Sequence, residues 1–334
     1  MGKKKAKEIA NITSLVNTGI PGYAEFEKIL RMTQAELKDY VLDELLSLGY
    51  SPISEDGFLY AKGKVDILIT AHLDTTPKVG GVKRVPPRII NTSNGVVMSP
   101  QGIGGDDRCG VYMILEIVRE TKCAVLFCED EEIGCVGSEK FCKTDYSKEI
   151  TGMRYMIELD RRGKQDLVFY SCDNPDFEDW LIDNMPEYNT NWGSCSDISE
   201  LMPNSGVAGV NISCGYYNEH TLEEKIVLAE MDNTLENVKR LVKLDSPRFE
   251  YIEEKINWDD RFDLYFGGYV KRKETKIEHF GFYEVYICYL DNGEEKVVTC
   301  DGETVEEAMF NFFYENPTVC MNDVTDYYYE YLDY

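Results

Sequence analysis

The chain has 334 residues with 35 basic and 61 acidic side chains, a formal net charge of −26, so it cannot build the broad basic face that nucleic acid or an anionic membrane would need. At 43% hydrophobic residues it can bury a sizeable core, and its length suits one large domain with a smaller one beside it. No apolar run approaches the ~20 residues that cross a bilayer as a helix.

Residues 1–22 read as a basic, polar leader. It opens like a signal peptide, but Glu8, Asn11, Thr13 and Ser14 break the apolar stretch such a signal needs. Ala6 stands where an N-myristoylation pattern has Ser or Thr. A cytoplasmic protein is expected, with neither a nucleic-acid nor a membrane partner. The main domain is expected over residues 23–246. Thr33 to Glu36, TQAE, form a capping box, and Leu37, Tyr40, Val41, Leu45 and Leu48 follow at helical spacing until Gly49. FLYAKG and KVDILITAHLD read as two strands, the second a nearly unbroken apolar run of the kind covered on both faces of a sheet. His72 falls where that strand ends. A Pro- and Gly-rich segment from Pro77 to Gly102 holds one short hairpin around Ser93 to Gly95. Val111, Ile114, Leu115 and Val118 mark an amphipathic helix from Asp107 to Glu120. A strand from Ala124 to Cys128, a short helix from Gly137 to Cys142 and a strand from Tyr155 to Leu159, which delivers Asp160, come next. A helix from Pro175 to Met185, a strand VAGVNIS leading to His220, and a closing helix from Met231 to Leu244 complete an alternating pattern. Such alternation predicts an α/β fold with a mostly parallel sheet.

Residues 247–334 change in character and read as a small α+β unit of unassigned role. FYEVYICYLDNGEEKVVTC predicts a hairpin around Asn292 and Gly293, Thr304 to Tyr314 a helix, and the tail DVTDYYYEYLDY either a packing strand or an interaction tail. His279 stands alone there. The eleven cysteines are odd in number and irregularly spaced, and many fall in strand patterns, as Cys123, Cys128 and Cys288 do, so reduced thiols are expected rather than a disulfide framework.

The chemistry gathers where the predicted strands end. Asp106, Asp107, Glu129, Asp130, Glu131 and Glu132 crowd the ends of apolar elements, and carboxylates so placed either face water or surround something strongly positive. His72, Glu131, Glu132 and Asp160 each follow a predicted strand, at the carboxyl ends where open α/β sheets collect functional groups. His220 lies a little beyond one, and Asp106 precedes a helix. Each motif alone is common, but their conjunction in this order points to a site for two divalent ions. Imidazole with carboxylate suits zinc, with cobalt or manganese compatible. Asp106, in the middle of the order, is the candidate bridge between ions ~3.5 to 4 Å apart. Asp106, Glu132 and Asp160 cancel most of the charge of two such ions, and the remainder can acidify a water and polarise a carbonyl. Glu131 and Glu132 leave the backbone in different directions, so one can ligate while the other moves a proton from the attacking water to the leaving amine. Asp74, two residues past His72, can accept the second imidazole N–H and fix its tautomer, or be an ordinary turn residue.

With HLDT (His72 to Thr75), GGDDRCG (Gly104 to Gly110), EDEEIG (Glu129 to Gly134), ELD (Glu158 to Asp160) and YNEHT (Tyr217 to Thr221), the chain resembles the co-catalytic zinc exopeptidases over roughly residues 30 to 245. That superfamily holds bacterial leucyl aminopeptidase, peptidase T and the tetrahedral aminopeptidases. The resemblance implies a three-layer αβα domain in which His72, Asp106 and Asp160 hold one ion and Asp106, Glu132 and His220 the other. It implies Glu131 as general base, Asp74 as orienter of His72, and a cis peptide between Asp106 and Asp107. GSCSDISELMP is similar to the family segment before the last histidine, so Ser196 and Asp197 line the substrate pocket or sit in a plain loop. The segments from His72 to Asp106 and from Asp160 to His220 are too short for the inserted domains of the lidded branches, so the chain looks like a compact, lidless aminopeptidase. Arg161 and Arg162, directly after Asp160, face solvent or receive a substrate carboxylate.

The leading expectation is a metallo-aminopeptidase acting on the N-terminal bond of peptides. A carboxypeptidase-type or N-acyl amino acid amidohydrolase is the near alternative, and a noncatalytic binding protein on a peptidase scaffold the distant one. Retention of Glu131 argues against the last, since a binding scaffold needs no base.

Overall fold

The computed structural model describes residues 20–193, 195–253, 282–291, 294–302 and 324–332. The chain divides into two compact units, Met1–Glu254 and Lys255–Tyr334. Residues 247–253, expected with the second unit, lie with the first. Phe249 is buried there, its nitrogen donating to Arg154 O at 2.7 Å and its ring centroid 5.0 Å from that of Phe177.

The first unit begins with α1 (Ala24–Leu30) and α2 (Gln34–Ser47). Thr33 and Glu36 cap α2 reciprocally, and Leu37, Val41 and Leu45 are its buried face. β1 (Ile53–Glu55), β2 (Phe58–Ala61) and β3 (Val65–His72) follow, then the short pairs β4 (Lys78–Val79) with β5 (Val82–Lys83) and β6 (Asn91–Ser93) with β7 (Val96–Met98). The hairpin at Ser93 to Gly95 is present; the β4/β5 pair carries too few residues to show a period. Next come α3 (Gly105–Glu120), β8 (Cys123–Cys128), α4 (Val136–Cys142), β9 (Tyr155–Arg161), β10 (Asp166–Val168), α5 (Pro175–Asn184) and β11 (Asn189–Asn191). The unit closes with α6 (Asp197–Ser205), β12 (Gly209–Ser213), β13 (Tyr216–Tyr217), β14 (Lys225–Val227) and α7 (Leu228–Leu241). α6 forms although Pro203 lies inside it. Ile198, Leu201 and Met202 bury one face, which outweighs the backbone N–H that proline lacks.

The main sheet has the order β1-β2-β8-β3-β9-β12-β10-β11. Its central strands β8, β3, β9 and β12 are parallel, while β2 and β10 run antiparallel to their neighbours β8 and β12. This is the α/β fold with a mixed, mostly parallel sheet. Val125, Ile69 and Ile157 lie side by side across β8, β3 and β9, and all are fully buried. At ~1.5–3 kcal/mol for each such side chain, this row locks the three strands in register and fixes where their ends stand. α3 lies against β3 and β9 with α1 and α7 packed on it, while α4 and α6 pack on each other, α4 against β8 and α6 against β9 and β12. Among the described residues Cys109, Cys123, Cys128, Cys135, Cys172 and Cys214 are buried as free thiols, and no helix is long and apolar enough to cross a membrane.

In the second unit β15 (Phe282–Asp291), β16 (Glu294–Gly302) and β17 (Val324–Leu332) form an antiparallel sheet with β15 in the centre. The tyrosine-rich tail is therefore a paired strand. Asp291 pairs with Glu294 at the end of the hairpin expected there; Asn292 and Gly293, most of the leader, the helix Thr304 to Tyr314 and His279 lie outside the described residues.

Candidate active site

Parallel strands bring three parts of the site to one edge. His72 ends β3, in register with Cys128 at the end of β8. Past Cys128 the chain turns through Asp130, at a φ of 62°, into a 3-10 turn at Glu131–Ile133. β9, on the other side of β3, carries Asp160. Asp106 arrives from the start of α3, where it and Asp107 depart from helical backbone angles and are joined by a cis peptide. His220 comes from the irregular segment between β13 and β14, at a φ of 64°.

These residues converge on one carboxylate. Asp106 Oδ1 lies 3.0 Å from His72 Nε2, and Asp106 Oδ2 lies 3.1 Å from His220 Nε2. His72 Nε2 is also 3.4 Å from Asp160 Oδ1, and His220 Nε2 is 2.8 Å from Glu132 Oε2. The result is two groups, His72 with Asp106 and Asp160, and Asp106 with Glu132 and His220, in each of which the ligand atoms lie within 4.8 Å of one another.

His72 donates Nδ1–H to Asp74 Oδ1 at 3.1 Å, which turns Nε2 toward the carboxylates. In neutral imidazole that nitrogen carries a lone pair, and a lone pair facing two carboxylates is repelled unless a proton or a metal cation stands between them. Burial lowers the pKa of His72, but Asp160, Asp106 and Asp74 outweigh it and hold it well above the ordinary histidine value. The same contest holds His220 at about 11. Burial, and then Asp106, push Glu132 up to about 7. Glu132 Oε1 is buried with no hydrogen-bond partner among the described residues. Burial also raises Asp160, while at Asp106 burial is outweighed by His220 and His72, which hold it below the usual carboxylate range. Raised carboxyls and an orphaned acceptor gathered around an ionised one fit divalent cations.

Glu131 stands beside this cluster, half-buried. Burial comes first, His72 opposes it, and the charges of Asp160, Asp197 and Asp106 add to it, so its pKa is raised well above the usual carboxylate value. Its backbone is fixed by Asp74, which accepts Glu131 N at 3.0 Å and Glu132 N at 3.1 Å. Glu129 and Asp130 turn elsewhere: Glu129 pairs with Lys38 and accepts Gly57 N at 3.0 Å, and both carboxylates accept from Gln34. Asp107 serves the backbone, accepting Gly110 N at 2.9 Å and His72 N at 3.3 Å.

Asp197 is fully buried and so lines no open pocket. Burial pushes its pKa up to about 6 against the pull of Ser138 and His72. Ser196, also buried, donates to Asp160 Oδ2 at 3.0 Å. Arg161 turns to Asp166, with Nε 3.2 Å from Oδ2, and Arg162 pairs with Glu219 at 2.7 Å. Two contributors escape a reading of sequence. Tyr216 donates to Asp160 O at 2.9 Å and to its Oδ1 at 3.2 Å, and Glu224, fully buried, accepts Gly104 N at 2.8 Å and Asp106 N at 3.1 Å. Tyr216 reads as an ordinary strand aromatic, and Glu224 in TLEEK as a solvated turn acid.

Residues 60–221 match the model of peptidase family M28. No curated protein matches the sequence. Among solved structures the fold is similar to a leucine aminopeptidase precursor from Bacteroides thetaiotaomicron, with 14% identity, 70% of this chain and 100% of that one covered, and a TM-score of 0.53. It is similar to an aminopeptidase from the archaeon Desulfurococcus kamchatkensis, with 15% identity, 66% and 94% covered, and a TM-score of 0.52. It is also similar to a Bacteroides thetaiotaomicron glutaminyl cyclase bound to N-acetylhistamine, with 14% identity, 66% and 96% covered, and a TM-score of 0.50. The family match runs from β2, before His72, to the residue after His220 and so spans every candidate ligand; this part of the chain is similar to peptidase family M28, among the co-catalytic zinc exopeptidases, which supports a metal-dependent exopeptidase.

Proposed function

We propose that the chain is an aminopeptidase that hydrolyses the N-terminal bond of peptides, with one divalent ion held by His72, Asp106 and Asp160 and a second by Asp106, Glu132 and His220. The observation that carries this reading is the division of one carboxylate between two histidines, Oδ1 of Asp106 to His72 and Oδ2 to His220. Zinc suits the mixed nitrogen and oxygen donors, and cobalt or manganese are compatible. Bound there, the ions supply Lewis acidity, which lowers the pKa of a water and polarises the scissile carbonyl.

The chain's own residues do the rest. Glu131, beside the ligand cluster but in neither ligand group, takes the proton of the attacking water on its carboxylate and delivers it to the leaving amine nitrogen. Asp74 holds the His72 tautomer and, through the two backbone N–H groups it accepts, keeps Glu131 in register with it. Ser196 and Tyr216 each hold one carboxyl oxygen of Asp160. Arg161 and Arg162 are already paired with Asp166 and Glu219, which favours a free N-terminus over a C-terminal or N-acyl carboxylate as the recognised group.

The test is a peptide library run with free and acetylated N-termini side by side, with zinc present. Release of the first residue from free N-termini alone is expected. Cleavage of acetylated members overturns the aminopeptidase reading, and no cleavage of any member returns the chain to a binding scaffold. The likeness to a glutaminyl cyclase supports a second reading, in which the substrate's own amine attacks in place of water. Loss of ammonia from peptides beginning with Gln, without release of a residue, would identify it.

A further inference from the structure

The segment that carries His220 has little regular structure of its own. It leaves β13 at Tyr217, passes through Asn218 and His220 with positive φ, and enters β14 at Lys225. Thr221 tightens it locally, its Oγ1 donating to Asn218 O at 2.7 Å and accepting Glu223 N at 3.2 Å. Four residues past His220, Glu224 crosses to the other arm of the site. Its Oε2 accepts Gly104 N and its Oε1 accepts Asp106 N, and Arg84 Nη1 stands 3.7 Å from Oε2. A side chain on Gly104 would collide with Arg84, since an added Cβ would stand 2.3 Å from Nη2. The carboxylate is thus a buried brace, with one bond to the backbone of Asp106 itself and a fixed sequence distance from His220.

On the reading that two ions bind, we infer that Glu224 is a positioning residue for the ion shared by Asp106, Glu132 and His220. It sets the gap between Asp106 and His220, which reach the site from segments more than a hundred residues apart. The other ion shares Asp106, but its remaining ligands His72 and Asp160 stand on the adjacent parallel strands β3 and β9 and are fixed by the sheet, whereas the second ion has His220 on the same braced segment as Glu224. Loss of the brace therefore acts selectively, on the second ion before the first.

The experiment is titration of the metal-free full chain with cobalt, followed by visible absorption, in the wild type, Glu224→Gln and Glu223→Gln. Glu224→Gln keeps the shape but offers one acceptor atom to two N–H donors, whereas Glu223→Gln removes the same charge from an exposed neighbour. In Glu224→Gln the first cobalt is expected to bind as in wild type and the second to bind ~10–100-fold more weakly, with the metal-free chain still folded though melting somewhat lower, since one buried N–H loses its acceptor, and wild-type kcat regained at high metal concentration. Glu223→Gln is expected to match wild type. Unchanged affinity for both ions in Glu224→Gln, equal weakening of both, or the same loss in Glu223→Gln overturns the inference. A wild type that takes up fewer than two ions overturns the two-ion reading itself.

Discussion

Asp74 and Glu131 are joined through the backbone: Asp74 Oδ1, which accepts His72 Nδ1–H, also lies 3.0 Å from the nitrogen of Glu131. One carboxylate thus fixes the imidazole of a ligand and the turn that carries the base. Asp74→Asn keeps one acceptor oxygen but sets an amide N–H against the N–H of Glu132 or His72. A ~10–100-fold fall in kcat is expected, with metal content retained, as steady-state rates beside elemental analysis would read. An unchanged kcat would reduce Asp74 to a turn residue.

Glu131→Gln is expected to keep both ions and lower kcat by ~10²–10⁴-fold, the usual worth of a positioned general base. Turnover at the wild-type rate in a variant of normal metal content would remove Glu131 from proton transfer.

Chelation should abolish hydrolysis and lower the melting temperature. A ligand at a hundred times its Kd stabilises by ~2.7 kcal/mol, or roughly 5–10 °C per ion in a unit of this size. Differential scanning calorimetry before and after dialysis against a chelator measures it, and identical melting curves would argue against resident ions.

The two forms should answer pH with opposite sign. In the metal-free chain Glu132 is raised to about 7, Asp197 to about 6 and His220 to about 11. A folded-state pKa above the unfolded one gives stability that is present below the unfolded value and lost as pH rises through the folded value. The metal-free protein should therefore melt higher at pH 5.5 than at pH 8. The loaded protein should do the reverse, because protons compete with cations for the same ligand atoms. Parallel pH trends in the two forms would contradict this.

Gly110 sits where α3 passes the end of β9, and an added Cβ would stand 1.9 Å from Leu159 O. Gly110→Ala should destabilise the first unit by at least ~1–3 kcal/mol and loosen Asp160, one residue further on. Chemical denaturation checks the first effect and metal content the second.

Much of this was legible in the residues. The apolar run ending at His72 and the strand patterns before Glu131 and Asp160 fix strand ends, and parallel pairing turns strand ends into a shared edge. The supporting acceptors were not legible. Glu224 and Tyr216 gain their roles from hairpin geometry around Asp106 and Asp160, and no periodicity encodes which buried N–H an acid will meet. α6 was hidden for the opposite reason, since Pro203 signals a break locally while burial of Ile198, Leu201 and Met202 decides the outcome.

Between His72 and Asp106 the chain leaves the main sheet for the β4/β5 pair and for β6 and β7, which join β13 and β14 in a second sheet of order β13-β14-β7-β6. Arg84, one residue past β5, stands 3.7 Å from Glu224 Oε2, and the β6/β7 turn accepts Leu228 N on Gly95 O at 2.9 Å, so both pairs are tied to the segment that carries His220. Sequence drift in this excursion is therefore felt at His220 and Asp106, whereas the ends of β3, β8 and β9 are held by the main sheet.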